Sequence, residues 1–203
     1  MTQRFATDVL IIGGGAAGLT AALNLAEHAR VTVLSKGDIE SASSNWAQGG
    51  VASVTDPQDS LTSHIEDTLK AGAGLCDEKV VTFTVERARA AIAQLVNWGV
   101  DFDHDDNEFH LTREGGHSFR RILHVADATG KAITETLTAK ALDHPRIDVL
   151  NDRVAIDLIN LNKLGRFSNR AAGAYVLNRS TGHVEVFQAN FVILATGGAS
   201  KVY

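Results

Sequence analysis

Three glycines at a fixed spacing are the residues best suited to bind a ligand. Gly13, Gly15 and Gly18 fit the pattern G-x-G-x-x-G and stand between an apolar run and an alanine-rich stretch. In such a loop the first glycine allows a tight turn, the second lets the backbone approach a pyrophosphate, and the third lets the helix pack on the strand. The helix N-terminus adds amide donors and a partial positive charge. The pattern predicts a dinucleotide site formed by Gly13, Gly14, Gly15, Ala16, Ala17 and Gly18.

The end of the second predicted strand lacks the acid that usually binds an adenosine ribose. Leu34 is followed instead by Ser35 and Lys36. Two interpretations stay open at this point. Either Lys36 meets the 2′-phosphate of an NADP-type ligand, or Ser35 and Lys36 contact the ribose or phosphates of another dinucleotide.

A second cluster of reactive side chains lies in the segment 110–124. Six groups that can carry positive charge fall within it: His110, Arg113, His117, Arg120, Arg121 and His124. Arginine presents a planar fork that matches a carboxylate in bidentate fashion. The cluster is therefore typical either of a carboxylate-binding loop or of a solvated basic loop.

Two patterns that resemble metal sites fail on their spacing. An EF-hand loop beginning at Asp101 needs glycine at its sixth position and glutamate at its twelfth, but the chain has Asp106 and Thr112 there. The glycine pair 115–116 argues against a single helix presenting the histidines of the basic segment, and the single Cys76 excludes a multi-cysteine zinc site. We predict no metal site.

The elements that must position these groups follow from periodicity and capping. A strand, a helix and a strand around the glycine loop predict a parallel pair with a right-handed crossover: Asp8–Ile12, Ala16–His28 and Val31–Leu34. Three more helices are predicted: Ser60–Ala71, Asp77 as N-cap to Trp98 with Gly99 as the stop, and one from Thr129 that carries Ile133, Leu137 and Leu142 before Pro145. Short strands then predict an antiparallel meander, followed by a strand that enters a glycine turn: Val154–Ile159, Ala174–Asn178, Val184–Phe187 and Phe191–Ala195.

Composition limits the class of protein. The chain has 203 residues, 44% of them hydrophobic, which suits one globular domain over residues 1–203. A net charge of −5 spread along the chain predicts neither a nucleic-acid nor a membrane partner. The opening apolar run is too short for a membrane span and lacks the features of a signal peptide, and the lone cysteine suits a reducing compartment. We expect a soluble, cytoplasmic protein.

Several segments resemble a known family. The order of the elements is similar to that of α/β, Rossmann-like FAD-binding domains of the glutathione-reductase type with a β-meander insertion. The stretches SASSNWAQGG (41–50) and ADATG (126–130) resemble the flavoprotein family of succinate dehydrogenases, fumarate reductases and L-aspartate oxidases. HLTREGGHSFRRILH (110–124) resembles the aspartate-oxidase branch in particular, and ATGGASKVY (195–203) extends the match.

This resemblance implies FAD as the cofactor. In membrane-bound members a histidine bonds covalently to FAD, and the corresponding position here is Ser43, so noncovalent FAD is implied. Beyond the glycine loop, Ser35 and Lys36, the residues implied to contact FAD are Ser43, Ser44, Ala47, Gln48, Gly49, Gly50, Val154, Ala155, Ala195, Thr196 and Gly197.

The resemblance also implies a reaction. It is the oxidation of L-aspartate to iminoaspartate with oxygen or fumarate as acceptor, the first step of NAD biosynthesis through quinolinate, with quinolinate synthase as a possible partner. Glu114 would face the substrate's amino group, with Thr112 and His117 as neighbours.

The family's essential arginine and its capping domain are expected beyond Tyr203, which would leave the FAD domain C-terminally truncated and no catalytic residue within the chain. We therefore expect the chain alone to bind FAD at most and to be inactive. Two alternatives are a dinucleotide-binding module without turnover and a soluble flavoprotein similar to fumarate reductase.

Overall fold

The strands and helices were assigned in a computed structural model, which describes residues 3–106 and 108–198. The strands are β1 (Arg4–Ile12), β2 (Val31–Leu34), β3 (Val51–Ala52), β4 (His104–Asp105), β5 (Glu108–Phe109), β6 (Ile122–Leu123), β7 (Ile147–Leu150), β8 (Arg153–Asn160), β9 (Ala171–Asn178) and β10 (Val184–Leu194). The helices are α1 (Ala16–Leu25), α2 (Leu61–Ala71), α3 (Glu78–Trp98) and α4 (Thr129–Asp143), with short 3-10 helices at Ile39–Ser41 and Ser43–Trp46.

The chain divides into two units. The first unit comprises the chain up to Asn45 together with the chain from Thr134 onward, and the second unit runs from Trp46 to Ile133. Among the described helices, none combines the length and the apolar character needed to cross a membrane.

A six-stranded mixed sheet forms the first unit, in the order β7-β2-β1-β10-β9-β8. The first four strands in this order, β7, β2, β1 and β10, are parallel to one another. From β10 the sheet continues through β9 and β8 as an antiparallel meander. The central strands read as continuous apolar runs because both faces of a parallel sheet are covered. Leu10, Leu34 and Phe187 are each almost fully buried in one core cluster. The predicted α/β fold with a meander is confirmed.

The register of the sheet brings three strand ends together. Ile12 pairs with Leu34 of β2 and with Leu194 of β10, so these three parallel strands end at the same level. The amide of Gly13 donates to the carbonyl of Leu34 at 2.9 Å, and the amide of Ala195 donates to the carbonyl of Ile12 at 2.9 Å. The glycine loop therefore lies at the carboxyl edge of the sheet, where ligands bind in open α/β folds.

The two helices of the second unit begin and end close to the predicted residues. Ser60 caps α2 by accepting from the amide of Ser63, and Asp77 caps α3 by accepting from two amides of its first turn. Gly99 ends α3 with a φ of 104°, the left-handed conformation that glycine adopts most easily. These predictions are confirmed, because caps depend on residues close in sequence.

Other boundaries differ from the predictions. Strand β10 is continuous, whereas the sequence predicted separate strands at Val184–Phe187 and Phe191–Ala195, because β1 pairs with β10 along its length. Strand β7 was not predicted. Helix α1 ends at Leu25 rather than His28, and in α4 Leu142 is 62% exposed while its neighbour Ala141 is buried.

Candidate functional site

The glycine loop of the first unit is shaped by close backbone contacts. Gly13 has a φ of +122°, and a Cβ at this position would collide with the carbonyl of Ala195. A Cβ at Gly18 would collide with the carbonyl of Gly13, which lets α1 pack directly on the turn. Both positions therefore require glycine, as the spacing of the motif predicts.

The N-terminus of α1 offers donors to an anion. Gly15 is the N-cap and has no side chain to cap the helix. The hydroxyl of Ser44 accepts from the amide of Ala16 at 3.2 Å. Within the part of the chain that the structure describes, no acceptor binds the amides of Gly14 and Gly15. Free amides at the positive end of a helix fit the pyrophosphate of a dinucleotide.

The neighbouring strand ends place the other predicted nucleotide contacts. Ser35 is 6% exposed, and its carbonyl accepts from the amide of Arg153 at 2.8 Å, so β8 begins beside the end of β2. Val154 and Ala155 follow directly and are partly buried. The Lys36 side chain is exposed, while its carbonyl accepts from Arg179 at 2.9 Å.

The remaining predicted contacts of the first unit are open. Ser43 is exposed, and Thr196 and Gly197 follow Ala195 at the end of β10. Gly197 has a φ of +70° and nothing within 4 Å of a Cβ placed there. Each lies in the first unit at or near the carboxyl edge of its sheet.

A buried ion pair of the first unit escaped the sequence prediction. Glu185 is 2% exposed and accepts from Arg153 at 2.7 Å and from Asn178 at 2.8 Å. It ties β10 to β8 at the point where β8 passes Ser35. The signal was the alternation in β10, which places Glu185 on the same face as Phe187.

The second unit holds the remaining predicted flavin contacts, the loop 47–50. Ala47, Gln48 and Gly49 are exposed, and the carbonyl of Ala47 accepts from the amide of Gly130 at 3.0 Å. A Cβ at Gly50 would collide with the side chain of Ile122 and the carbonyl of Leu123, so this position too requires glycine.

Glu114 lies against this loop. Its Oε1 accepts from the amide of Gly50 at 3.3 Å, and a Cβ at Gly49 would sit 3.6 Å from its Oε2. The carboxylate predicted to bind substrate and the loop predicted to bind flavin are thus adjacent, although 64 residues separate them.

The two other predicted substrate residues belong to the same segment. Thr112 exchanges backbone hydrogen bonds with Ile122, which closes the segment into a loop. His117 donates its amide to the carbonyl of Glu114 at 3.2 Å. Its ring lies 5.6 Å from that of His64, and its Nδ1 is buried without a hydrogen-bond partner among the described residues.

Arg121 is not available to a ligand. Its side chain is 0% exposed and binds Asp59 in bidentate fashion at 2.7 and 2.8 Å. A third hydrogen bond joins it to Asp67 at 2.8 Å and a fourth to Ser63 at 3.1 Å. Its guanidinium therefore connects loop 110–124 to α2 and to the chain before it.

This buried network shifts two pKa values. The hydroxyl and amide of Ser118, followed by Arg121, lower the pKa of Asp67 from 3.8 to about 2. Burial, followed by the charge of Arg121 and by His117, lowers the pKa of His64. Asp67 is thus ionised and His64 neutral at pH 7.

Of the six predicted cationic groups, Arg113 and Arg120 are exposed to solvent. His110 and His124 bind each other, at 2.9 Å between His110 Nδ1 and His124 Nε2. Arg113 and Arg120 line a cavity of about 610 Å³ together with Thr112. The basic segment is thus partly structural and partly an open cationic surface.

A mixed α/β sheet with free helix amides beside its glycine turn defines a dinucleotide-binding domain of the flavoprotein class. The family model described as "FAD binding domain" matches residues 8–203, and the chain belongs to this family. Its cofactor is FAD, which excludes the NADP-type ligand considered for Lys36, whereas contacts of Ser35 and Lys36 with FAD stay a prediction.

Two similar curated proteins are L-aspartate oxidases. The chain is 56% identical to an L-aspartate oxidase of Pseudomonas aeruginosa over 100% of its own length and 39% of that protein. It is 54% identical to an L-aspartate oxidase of Yersinia pestis, over 97% of the chain and 38% of the relative. The chain thus spans less than two fifths of these curated relatives.

Solved structures show the same fold. An E. coli quinol fumarate reductase superimposes with a TM-score of 0.92 at 30% identity, over 100% of this chain and 34% of that one. A flavocytochrome c3 fumarate reductase gives a TM-score of 0.83 at 27% identity, over 96% of this chain and 34% of the other.

Proposed function

We propose that this chain is the FAD-binding part of an L-aspartate oxidase and that FAD is held without a covalent bond. The observation that carries the proposal is the carboxylate of Glu114 at the amide of Gly50. Relatives that carry the name L-aspartate oxidase at more than half identity support the substrate. Ser43, which cannot form the histidine linkage, supports noncovalent binding.

In the first unit the chain binds and orients the dinucleotide. The amides of Gly14 and Gly15, with the dipole of α1, hold the pyrophosphate. Ser35, Val154 and Ala155 contact the adenosine side. FAD held by these residues would supply the hydride acceptor for oxidation of the substrate.

In the second unit Glu114 selects the substrate. Its negative charge attracts the ammonium group of aspartate, which succinate lacks, and leaves a carboxylate unpaired if succinate binds instead. Thr112 and His117 hold the loop that presents Glu114. We assign no acid or base of the reaction to this chain.

The proposal includes the product, the electron acceptor, the compartment and the pathway. Iminoaspartate is the product, oxygen or fumarate takes the electrons, and the protein acts in the cytoplasm at the first step of NAD biosynthesis. Quinolinate synthase is proposed as the enzyme that receives the product, since iminoaspartate is unstable in water. The 203-residue chain by itself binds FAD and does not turn over.

Cofactor binding is tested first on the 203-residue chain. Trp46 is 74% exposed and precedes loop 47–50, so its fluorescence should be quenched as FAD is added. The colour should pass into the supernatant after acid precipitation, as expected for noncovalent FAD. Colour that stays with the precipitate would contradict the noncovalent assignment, and no quenching would contradict FAD binding by this chain.

Substrate choice is tested in the complete protein that contains this chain. Replacing Glu114 by Gln should raise the KM for aspartate and narrow the preference for aspartate over succinate. Glu108, an exposed acid of the same unit, provides the control substitution Glu108→Gln. An unchanged preference in E114Q would refute the role of Glu114. Faster oxidation of succinate than of aspartate by the unsubstituted protein would favour the fumarate-reductase-like alternative, which the TM-score of 0.92 supports.

A further inference from the structure

The base of loop 110–124 is closed by two imidazoles, which we call the histidine pair. His110 Nδ1 lies 2.9 Å from His124 Nε2, and the planes of the rings are 77° apart. The other nitrogen of His124, Nδ1, lies 3.0 Å from Oδ2 of Asp103. Backbone hydrogen bonds hold Asp103 in place, from its amide to the carbonyl of His124 at 2.9 Å and from the amide of His110 to its carbonyl at 2.8 Å. The histidine pair joins the first and last residues of the loop that carries Glu114.

The positions of the hydrogens on the histidine pair follow from its hydrogen-bond partners. An ionised carboxylate only accepts, so Nδ1 of His124 carries hydrogen and Nε2 of the neutral ring is bare. Nδ1 of His110 therefore donates to it. Nε2 of His110 is then the free position, and it faces Asp105 at 3.8 Å.

The hydrogen bond between the rings limits how many protons the pair can hold. One added proton on Nε2 of His110 leaves the N–H···N bond intact. A second added proton must occupy Nε2 of His124, and two N–H groups would then point at each other across 2.9 Å. The charged groups nearest the pair are Asp103 and Asp105, with Arg113 and Arg120, which line a cavity with His110. Glu114 and His117 lie on the same loop, and His64 faces His117.

Asp103 also contacts the segment that supports loop 47–50, the loop against which Glu114 lies. The same Oδ2 accepts from the amide of Ala126 at 2.9 Å, and Ala126 has a φ of +41°, which is costly for alanine. The segment 126–130 that follows donates its last amide, that of Gly130, to Ala47 at 3.0 Å. One carboxylate thus holds both the base of loop 110–124 and the segment that supports loop 47–50.

We propose that Asp103, His124 and His110 are positioning residues that hold Glu114 in place as long as the histidine pair carries at most one added proton. The inference rests on the proposed function, because loop 110–124 is taken there to bind the substrate through Glu114. Acidification that adds the second proton separates the rings and releases the loop. Glutamine at position 110 can donate to Nε2 of His124 when that nitrogen is bare and, with its amide turned over, accept from it when it is protonated, so it should keep the loop closed.

The test is nuclear magnetic resonance of the labelled 203-residue chain from pH 8 to about pH 5, which spans ordinary imidazole titration. The amide signals of residues 112–118 should shift reversibly with acid in the unsubstituted chain. The acid shift should be smaller in His110→Gln, which keeps the other titratable groups near the loop, His64, Glu114 and His117. In His110→Ala the signals should be displaced at every pH. Free imidazole added to the sample serves as the titration control through its own ring signals.

Two outcomes would overturn the proposal. In one, the signals of 112–118 stay fixed while those of the added imidazole shift. In the other, His110→Gln shifts with acid as the unsubstituted chain does. If His110→Ala does not fold, the comparison with His110→Gln still decides. The measurement needs neither FAD nor turnover, so absence of aspartate oxidation by the complete protein would refute the proposed function and leave this result standing.

Discussion

Asp67→Asn is the substitution whose effect the structure predicts most directly. The carboxylate accepts from the amide and the hydroxyl of Ser118, each at 2.7 Å, and from Arg121 at 2.8 Å, and its side chain is 12% exposed. A pKa lowered from 3.8 to about 2 corresponds to roughly 2 kcal/mol of stabilisation at neutral pH. An amide also turns an NH₂ group toward donors, so we expect Asp67→Asn to lower the free energy of unfolding by at least this amount.

The assay is urea unfolding of the 203-residue chain followed by circular dichroism. The control is Glu66→Gln, which removes one negative charge from an exposed position of the same helix and should change stability by less than about 0.5 kcal/mol. Because the pKa of Asp67 is lower in the folded chain, its contribution is fully present above 3.8 and is lost as the pH falls through about 2. The difference in unfolding free energy between Asp67→Asn and the unsubstituted chain should therefore shrink over this range.

Two results would refute this reasoning. A midpoint for Asp67→Asn equal to that of Glu66→Gln at pH 7 would mean that the hydrogen bonds to Asp67 add nothing. A gap that keeps its full size below pH 3.8 would mean that the effect of the substitution does not come from the charge of Asp67.

Two further substitutions test the packing around the site. Gly50→Ala should destabilise the chain by about 1–3 kcal/mol in urea unfolding, because its methyl group has no room, whereas Gly115→Ala, with nothing within 4 Å of the added Cβ, should be nearly neutral. Equal midpoints for the two would contradict the close approach. Glu185→Ala should lower the free energy of unfolding by about 3–5 kcal/mol, because Arg153, at 18% exposure, loses its carboxylate partner. Glu40→Ala, at an exposed position, is the control, and a loss below about 1 kcal/mol for Glu185→Ala would argue against the buried pair.

Features that depend on neighbours in the chain were predictable from the sequence. Asp77 and Gly99 mark the ends of α3 because caps involve residues within one helical turn. The same reasoning holds for Gly18, where a Cβ would collide with the carbonyl of Gly13, five residues earlier. The strand between α4 and β8 was missed because Ile147–Leu150 is short and includes Asp148. Its pairing with β2, across more than a hundred residues, is what makes it a strand.

The amino-acid sequence by itself determined that the chain has a glycine turn for a dinucleotide, capped helices, a meander and a basic segment that carries Glu114. Only the tertiary structure decided how that segment is used. Arg121 was a candidate ligand for a carboxylate in the sequence, but Asp59 and Asp67, 62 and 54 residues away, surround it. The Glu114 carboxylate accepts a hydrogen bond from the amide of Gly50, which is 64 residues away in the sequence. A charged side chain takes its role from the groups that folding places within a few ångströms of it, and no local pattern records which groups those are.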